Sequence, residues 1–262
     1  MEQMQDVYDY FSGCVPAYCV FHMNLTGILE LLRVPYKEYD STVEEFALIG
    51  VVAYTEAFFK DHFASIVNIF PEKIALLKKG NRDVTIDLTD LLEIEGPLLS
   101  KFGFLLGERG ERFKFGTPKQ VNAIYHDLLP VTPFSGDEAV EYDEFINRRN
   151  LLVHHGGIAT SRYCKGVHGN SGARPFQDSV PITKEFVGRA AILANKVASK
   201  TVRATISHLS GEVSGVDPSD IRRRAVNLMG DFLGQSEELE ANFNRVCLVY
   251  LPEAGNAGLA GQ

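Results

Sequence analysis

The sequence is short of cysteine, of long apolar runs and of basic charge, and each shortage excludes something. Four cysteines (Cys14, Cys19, Cys164, Cys247) in 262 residues are too few for a disulfide framework, and free thiols are the default in a reducing compartment. The longest apolar run, Cys14 to Phe21, is closed by His22 and falls far below the roughly 20 residues that cross a bilayer, so no membrane partner is expected. Glu2, Gln3 and Asp6 at the start do not read as a signal segment, and the expected location is cytoplasmic. Lys and Arg total 26 against 34 Asp and Glu, a net charge of −8. That excludes a uniformly basic nucleic-acid coat but not a local basic site, because the field at a ligand depends on where the charges sit. Cys14, Cys19 and His22 imitate a metal cluster. Their spacing is not that of a zinc pair, a fourth ligand is missing and the stretch is apolar, so buried cysteines in a core helix are expected there. Neither a metal nor a cofactor is expected.

What is present is a helical pattern with its punctuation. Ser41 and Glu44 have the spacing of a capping box, and behind them Glu45 to Phe70 reads as a long helix with Phe46, Ile49, Ala53, Phe59, Phe63, Ile66 and Phe70 on its apolar face. Pro71 either stops it or opens a short helix through Ala75 and Leu77. Residues 81–116 are less legible: Val84 to Ile86 suggests an extended piece, Asp90 to Ile94 and Pro97 to Leu106 suggest helices. Thr117-Pro118 is an N-cap followed by the residue best suited to the first helical position, and that helix should reach about Leu129. Ser135 and Glu138 form a second capping-box pattern, starting a helix that should end at Gly156-Gly157. Residues 166–182 read as a loop with a short strand at Phe176 to Val180. Thr183 caps a long helix to about Leu209, with Phe186, Ala190, Leu193, Val197 and Thr201 along one face. After a linker at Gly211 to Gly215, Asp217-Pro218 opens a last helix through Ile221, Val226 and Leu228. The expected fold is all-α. A four-helix bundle near 45–70, 118–129, 136–155 and 183–209 forms a domain over 41–210, flanked by helical extensions at 1–40 and 211–262, the latter ending in a flexible tail.

The chemistry-bearing segment is Arg148-Arg149-Asn150-Leu151-Leu152-Val153-His154-His155-Gly156-Gly157. Asn150 and His154, four residues apart, share a helix face. Arg149 lies beside that face, so an arginine, an amide and an imidazole converge where a helix ends. No Asp or Glu lies between Glu144 and Asp178, whereas that interval holds Arg148, Arg149, Arg162, Lys165 and Arg174 and three of the seven histidines, His154, His155 and His168. The interval has no Ser–base–acid order, no paired carboxylates and no Walker-type glycine loop. Histidine titrates near pH 6.5, about where a general acid or base is useful, and arginine offers a planar fork for two phosphate oxygens. Together they suit metal-free phosphodiester cleavage, in which a base takes the ribose 2′-hydroxyl proton and a cation stabilises the phosphorane. Such a step requires RNA. The plainer alternative stays open: a histidine at a helix C-terminus is favourable against the helix dipole, and an acid-free stretch can be a solvated basic face. Arg222-Arg223-Arg224, at the start of the last helix, is expected to face solvent.

Arg149-Asn150-Leu151-Leu152-Val153-His154, preceded by Tyr142-Asp143-Glu144-Phe145 and followed by Gly156-Gly157 and Tyr163, resembles the HEPN superfamily, whose signature is an Arg, usually followed by Asn, four to six residues before a His. The resemblance extends over about residues 44–210, with Glu56 where many members place an acid. It implies an HEPN-like up-and-down helical bundle that forms a homodimer with a composite active site. It also implies a metal-independent endoribonuclease that cuts RNA by 2′-hydroxyl attack to a 2′,3′-cyclic phosphate, in a toxin, phage-defence or RNA-processing setting, with an antitoxin or defence protein as a further partner. The residues carried over as catalytic are Arg149 for phosphate charge, Asn150 for orientation and His154 as acid or base. Glu56 is expected to hold the arginine or cap a polar pocket, and His155 is expected at the surface. Some members have lost activity, so the alternative implied is a non-catalytic RNA-binding or protein-interaction module.

Overall fold

The structure, a computed structural model, describes residues 6–34, 42–79, 101–108, 113–166 and 176–247. It is all-α. In chain order the helices are α1 (Ala17–Arg33), α2 (Thr42–Ile69), α3 (Ile74–Lys79), α4 (Phe102–Glu108), α5 (Pro118–Leu128), α6 (Gly136–His155), α7 (Ser161–Gly166), α8 (Lys184–Glu212), α9 (Ile221–Leu228) and α10 (Ser236–Cys247). Among the described residues, β structure is confined to an isolated antiparallel bridge between Ile158 and Ser179, where the sequence suggests a strand. No helix among them is long and apolar enough to cross a membrane.

The caps form as their residue types dictate. The Thr117 hydroxyl accepts from Gln120 N with Pro118 at the first helical position, and the Thr183 hydroxyl accepts from Phe186 N. At Ser135 both halves of the capping box are present: Glu138 N donates to the hydroxyl at 3.4 Å, and Ser135 N donates to Glu138 Oε2 at 2.8 Å. The Ser41 cap and the elements suggested at 84–86 and 90–94 lie outside the described residues, as do positions 97–100 of the helix suggested at 97–106, the rest of which falls largely in α4 (Phe102–Glu108). α2 ends at Ile69, with Phe70 non-helical (φ −128°, ψ 69°), and Pro71 opens the next element. A 3-10 turn over Pro71–Lys73 leads straight into α3. The last cap falls three residues later than the sequence suggests: Asp220 accepts from Arg222 N and Arg223 N, while Asp217 only organises the preceding turn through Ser219.

α2 is the central element, packed against α1, α4, α6 and α8. Phe59, Phe63 and Ile66 are buried as expected, as is Phe70 just past its end, but its buried face corrects the expected one over the first half of the helix. Phe46 is 64% exposed and Ala53 is exposed, whereas Ala47, Leu48, Val51, Val52, Thr55, Phe58 and Phe59 are buried. From His62 to Phe70 every residue is buried. A helix that is apolar nearly all round does not announce its inner side, so its neighbours choose it. α8 behaves as expected, with Phe186, Ala190, Leu193, Val197 and Thr201 all buried.

The main apolar cluster runs without interruption from Val7 and Phe11 through α2, α6 and α8 to Leu239, Phe243 and Cys247, so both ends of the described chain pack on the same core. Two asparagines buried in or beside it are fully engaged, whereas the Tyr142 hydroxyl has no hydrogen-bond partner among the described residues. Asn195 of α8 accepts from Tyr18 Oη at 2.8 Å and donates to Ser236 O, Ser236 Oγ and Glu240, joining α1, α8 and α10. Asn68 of α2 donates to Tyr10 O and accepts from Gly103 N at 2.6 Å. Arg222 and Arg223 do not simply face solvent: Arg222 bonds Glu72 at 3.1 Å, and Arg223 donates to Val216 O at 2.8 Å.

Candidate functional site

Helix α6 carries the motif, and its geometry divides the motif in two. Tyr142, Phe145 and Ile146 are buried. Arg149, one turn further along that face, is therefore aimed at α2. There its Nη2 donates to Glu56 Oε1 at 2.5 Å. The two side chains are 20% and 33% exposed, and the Arg149 Nε is buried without a hydrogen-bond partner among the described residues. Burial pushes the Glu56 carboxyl up, and the Arg149 charge and hydrogen bond pull it back. Of the two roles expected for Glu56, holding the arginine or capping a polar pocket, the first is the one observed.

His154 is five residues from Arg149, about 140° further round the helix. It stands on the opposite, solvent-facing side with Asn150, its neighbour four residues back. Asn147, Asn150, Leu151, His154, His155, Thr160, Arg162 and Tyr163 line a surface cavity of about 340 Å³. The structure thus brings Asn150 and His154 together as predicted and adds His155, whose ring lies 6.5 Å from that of His154. It places Arg149 outside this cavity. Among the described residues no carboxylate lines it.

The far wall of the cavity is built by the chain reversal after α6. Gly156 and Gly157 take φ of 58° and 79°, and their N–H groups both donate to Leu151 O, closing the helix. The chain then pairs with its return segment through Ala159 N to Asp178 O, Gln177 N to Ala159 O and Val180 N to Gly157 O. Leu151, Ala159, Tyr163 and Val180 form a small apolar cluster of their own beneath the turn. The Tyr163 hydroxyl donates to Glu144 Oε1 at 2.9 Å, which also accepts from Arg148 Nε at 2.7 Å. Burial first, and then the Glu144 contact, raises the Tyr163 hydroxyl pKa. Arg148 stacks on the Phe186 ring with its guanidinium carbon 4.0 Å from the centroid, so that cation belongs to the α6–α8 packing. Arg162 and Thr160 belong to no motif that assigns them to the site, and the acid-free interval is the one sequence signal that points to Arg162. His168 and Arg174 lie outside the described residues.

Elsewhere, Cys19 is buried in α1 as expected, where burial pushes its thiol up to about 11, but Cys14 is exposed in a 3-10 turn ahead of that helix and not in the core. His22 is buried with its ring 5.4 Å from that of Phe232. Among the described residues no group of three or more His, Cys, Asp and Glu side chains has a metal-binding arrangement. No protein-family model, curated protein or solved structure matches this chain.

Proposed function

We propose that the protein is a metal-independent endoribonuclease that acts on RNA as a homodimer, in line with its resemblance to the HEPN superfamily. The observation that carries this reading is the exposed His154 imidazole sharing a carboxylate-free cavity with Asn150 at the end of α6. In the reaction, His154 accepts the 2′-hydroxyl proton, the 2′-oxygen attacks phosphorus, and the P–O5′ bond breaks with the leaving 5′-oxygen taking a proton from water, giving a 2′,3′-cyclic phosphate and a 5′-hydroxyl. Asn150 orients the imidazole or donates to a phosphate oxygen. Arg149 lies outside the cavity with one of its five donors on Glu56, and in this reading its guanidinium meets the phosphate where the substrate extends past the cavity rim. In a dimer, the second copy would cover exposed apolar side chains of the two helices that carry this pair, Phe46 of α2 and Val153 of α6. The toxin or phage-defence setting, and an antitoxin-like partner, follow from the resemblance alone.

A second reading is favoured by one observation. Arg149 is committed to Glu56 and does not line the His154 cavity, which suits a module that binds RNA without cutting it.

The test is incubation of purified protein with mixed single-stranded RNA and its 2′-deoxy counterpart in excess chelator. The expected outcome is cleavage of the RNA only, with cyclic phosphate ends, and its loss in Arg149→Ala and His154→Ala variants that keep their helical circular dichroism. Salt-dependent binding with no new ends supports the binding module instead. Cleavage that persists in both variants, or that depends on a divalent ion, removes the assignment.

A further inference from the structure

We propose that Arg162 is the phosphate-binding residue of the His154 cavity, which the sequence motif does not include, and that the cavity is a site for one phosphodiester group. The nature of the ligand, an RNA backbone phosphate, rests on the reading above. The anion site itself stands on the geometry.

Of the described cations of the acid-free interval, two are already paired. Arg149 is bonded to Glu56 and Arg148 to Glu144, and neither lines the cavity. Lys165 is exposed but also stands outside the lining. Arg162 is exposed, lines the cavity and has no ion pair among the described residues, so it is the one permanently charged side chain of the lining. A guanidinium that faces no carboxylate keeps its full fork for two oxygens of one anion.

The remaining lining is made of groups that donate. The side-chain amides of Asn147 and Asn150 make no hydrogen bond among the described residues, and the imidazoles of His154 and His155 are exposed. Thr160 Oγ1 accepts from Tyr163 N at 3.2 Å, which leaves the hydroxyl proton to donate elsewhere. Six donor side chains thus surround a space of about 340 Å³, and no side chain with acceptors alone lines it. That volume is about eleven times the roughly 30 Å³ occupied by one water, enough for a phosphate with part of its sugar.

Arg162 is also held in place. Its neighbour Tyr163 is buried and tied to Glu144 of α6, and the bridge at Ile158 and Ser179 fixes the turn that leads into α7, the helix that carries Arg162. This gives the satellite cluster under the turn a purpose beyond packing, since it fixes Arg162 relative to the α6 face that bears His154.

The experiment uses the full chain at low ionic strength. The ring-proton resonances of His154 and His155 are followed by NMR while inorganic phosphate is added, for wild type, Arg162→Ala, Arg162→Lys and, as a surface-charge control, Lys165→Ala. Saturable shifts are expected in wild type and Lys165→Ala, weakened in Arg162→Lys and lost in Arg162→Ala. In parallel, the KM for single-stranded RNA should rise about tenfold in Arg162→Ala, with the salt dependence of binding shallower by about one ion. A wild type that does not respond to phosphate, an Arg162→Ala titration like that of wild type, or an equal loss in Lys165→Ala overturns the proposal. Absence of RNA cleavage by wild type would remove the ribonuclease reading alone, since the phosphate titration judges Arg162 by itself.

Discussion

His62 lies in the middle of α2, fully buried, stacked between the rings of Phe58 and Tyr125 at 5.4 and 6.0 Å, with Nε2 3.2 Å from Thr205 Oγ1. Burial pulls its pKa down to about 3, so the fold holds it neutral. The unfolded chain, with a histidine near pH 6.5, binds the extra proton first. The stability His62 contributes is therefore present above about pH 6.5 and is lost as pH falls toward 3, at up to about 1.4 kcal/mol per pH unit. Urea unfolding at pH 6.5 and pH 5 should show His62→Phe losing about 2 kcal/mol less than wild type over that interval, whatever its absolute stability. Glu138 follows a separate, lower window. Burial alone would raise its carboxyl, but hydrogen bonds from Lys200 at 2.5 Å and from Ser135 hold it at about 2. Its contribution is present above the ordinary carboxylate pKa and is lost as pH falls below about 4.5 toward 2. Asn195 satisfies its amide entirely within the core, and Asn195→Ala, which strands the Tyr18 hydroxyl and the Ser236 groups, should cost about 3 kcal/mol in urea unfolding.

At the scale of elements, two glycines with opposite surroundings make a paired prediction. A Cβ added at Gly103 of α4 would stand 2.0 Å from the Ala64 carbonyl oxygen of α2, a backbone atom that cannot step aside. Gly103→Ala should destabilise by about 2 kcal/mol or more, because α4 must lift off α2. A Cβ at Gly27, exposed in the middle of α1, meets nothing within 4 Å. Gly27→Ala should raise the urea midpoint by about 0.5–1 kcal/mol equivalent, through helix propensity alone. The elements differ in how readily they can be read from sequence. α5, α6 and α8 begin where Thr117, Ser135 and Thr183 say they do, because a cap acts within four residues and needs no distant partner. The inner face of α2 could not be read that way. Phe46 is as apolar as Phe59, yet Phe46 is exposed and Phe59 is buried, because α1, α6 and α8 settle on the other sides.

For the whole molecule, the apolar cluster has no seam between the ends of the chain and the four long helices. Phe243 of α10 is fully buried against it, and Cys247 lies close over Gly188 of α8, where an added Cβ would come within 2.5 Å of the cysteine Cβ. Phe243→Ala should therefore cost about 3–5 kcal/mol and shift the whole unfolding transition. Tyrosine fluorescence and far-UV circular dichroism should move together; a separate early transition for the C-terminal helices would contradict a shared core.

The amino-acid sequence by itself determined the all-α class, the starts of the principal helices, the stop at Gly156-Gly157 and the pairing of Asn150 with His154 on one face. These are local matters, set by caps, φ-tolerant glycines and a spacing of four residues. Only the tertiary structure decided which way α2 turns, that Glu56 takes Arg149, and that Arg162 rather than Arg149 shares a cavity with His154. Five residues round a helix place two side chains on different sides, so their surroundings come from whichever helices and turns pack there, and those come from far along the chain.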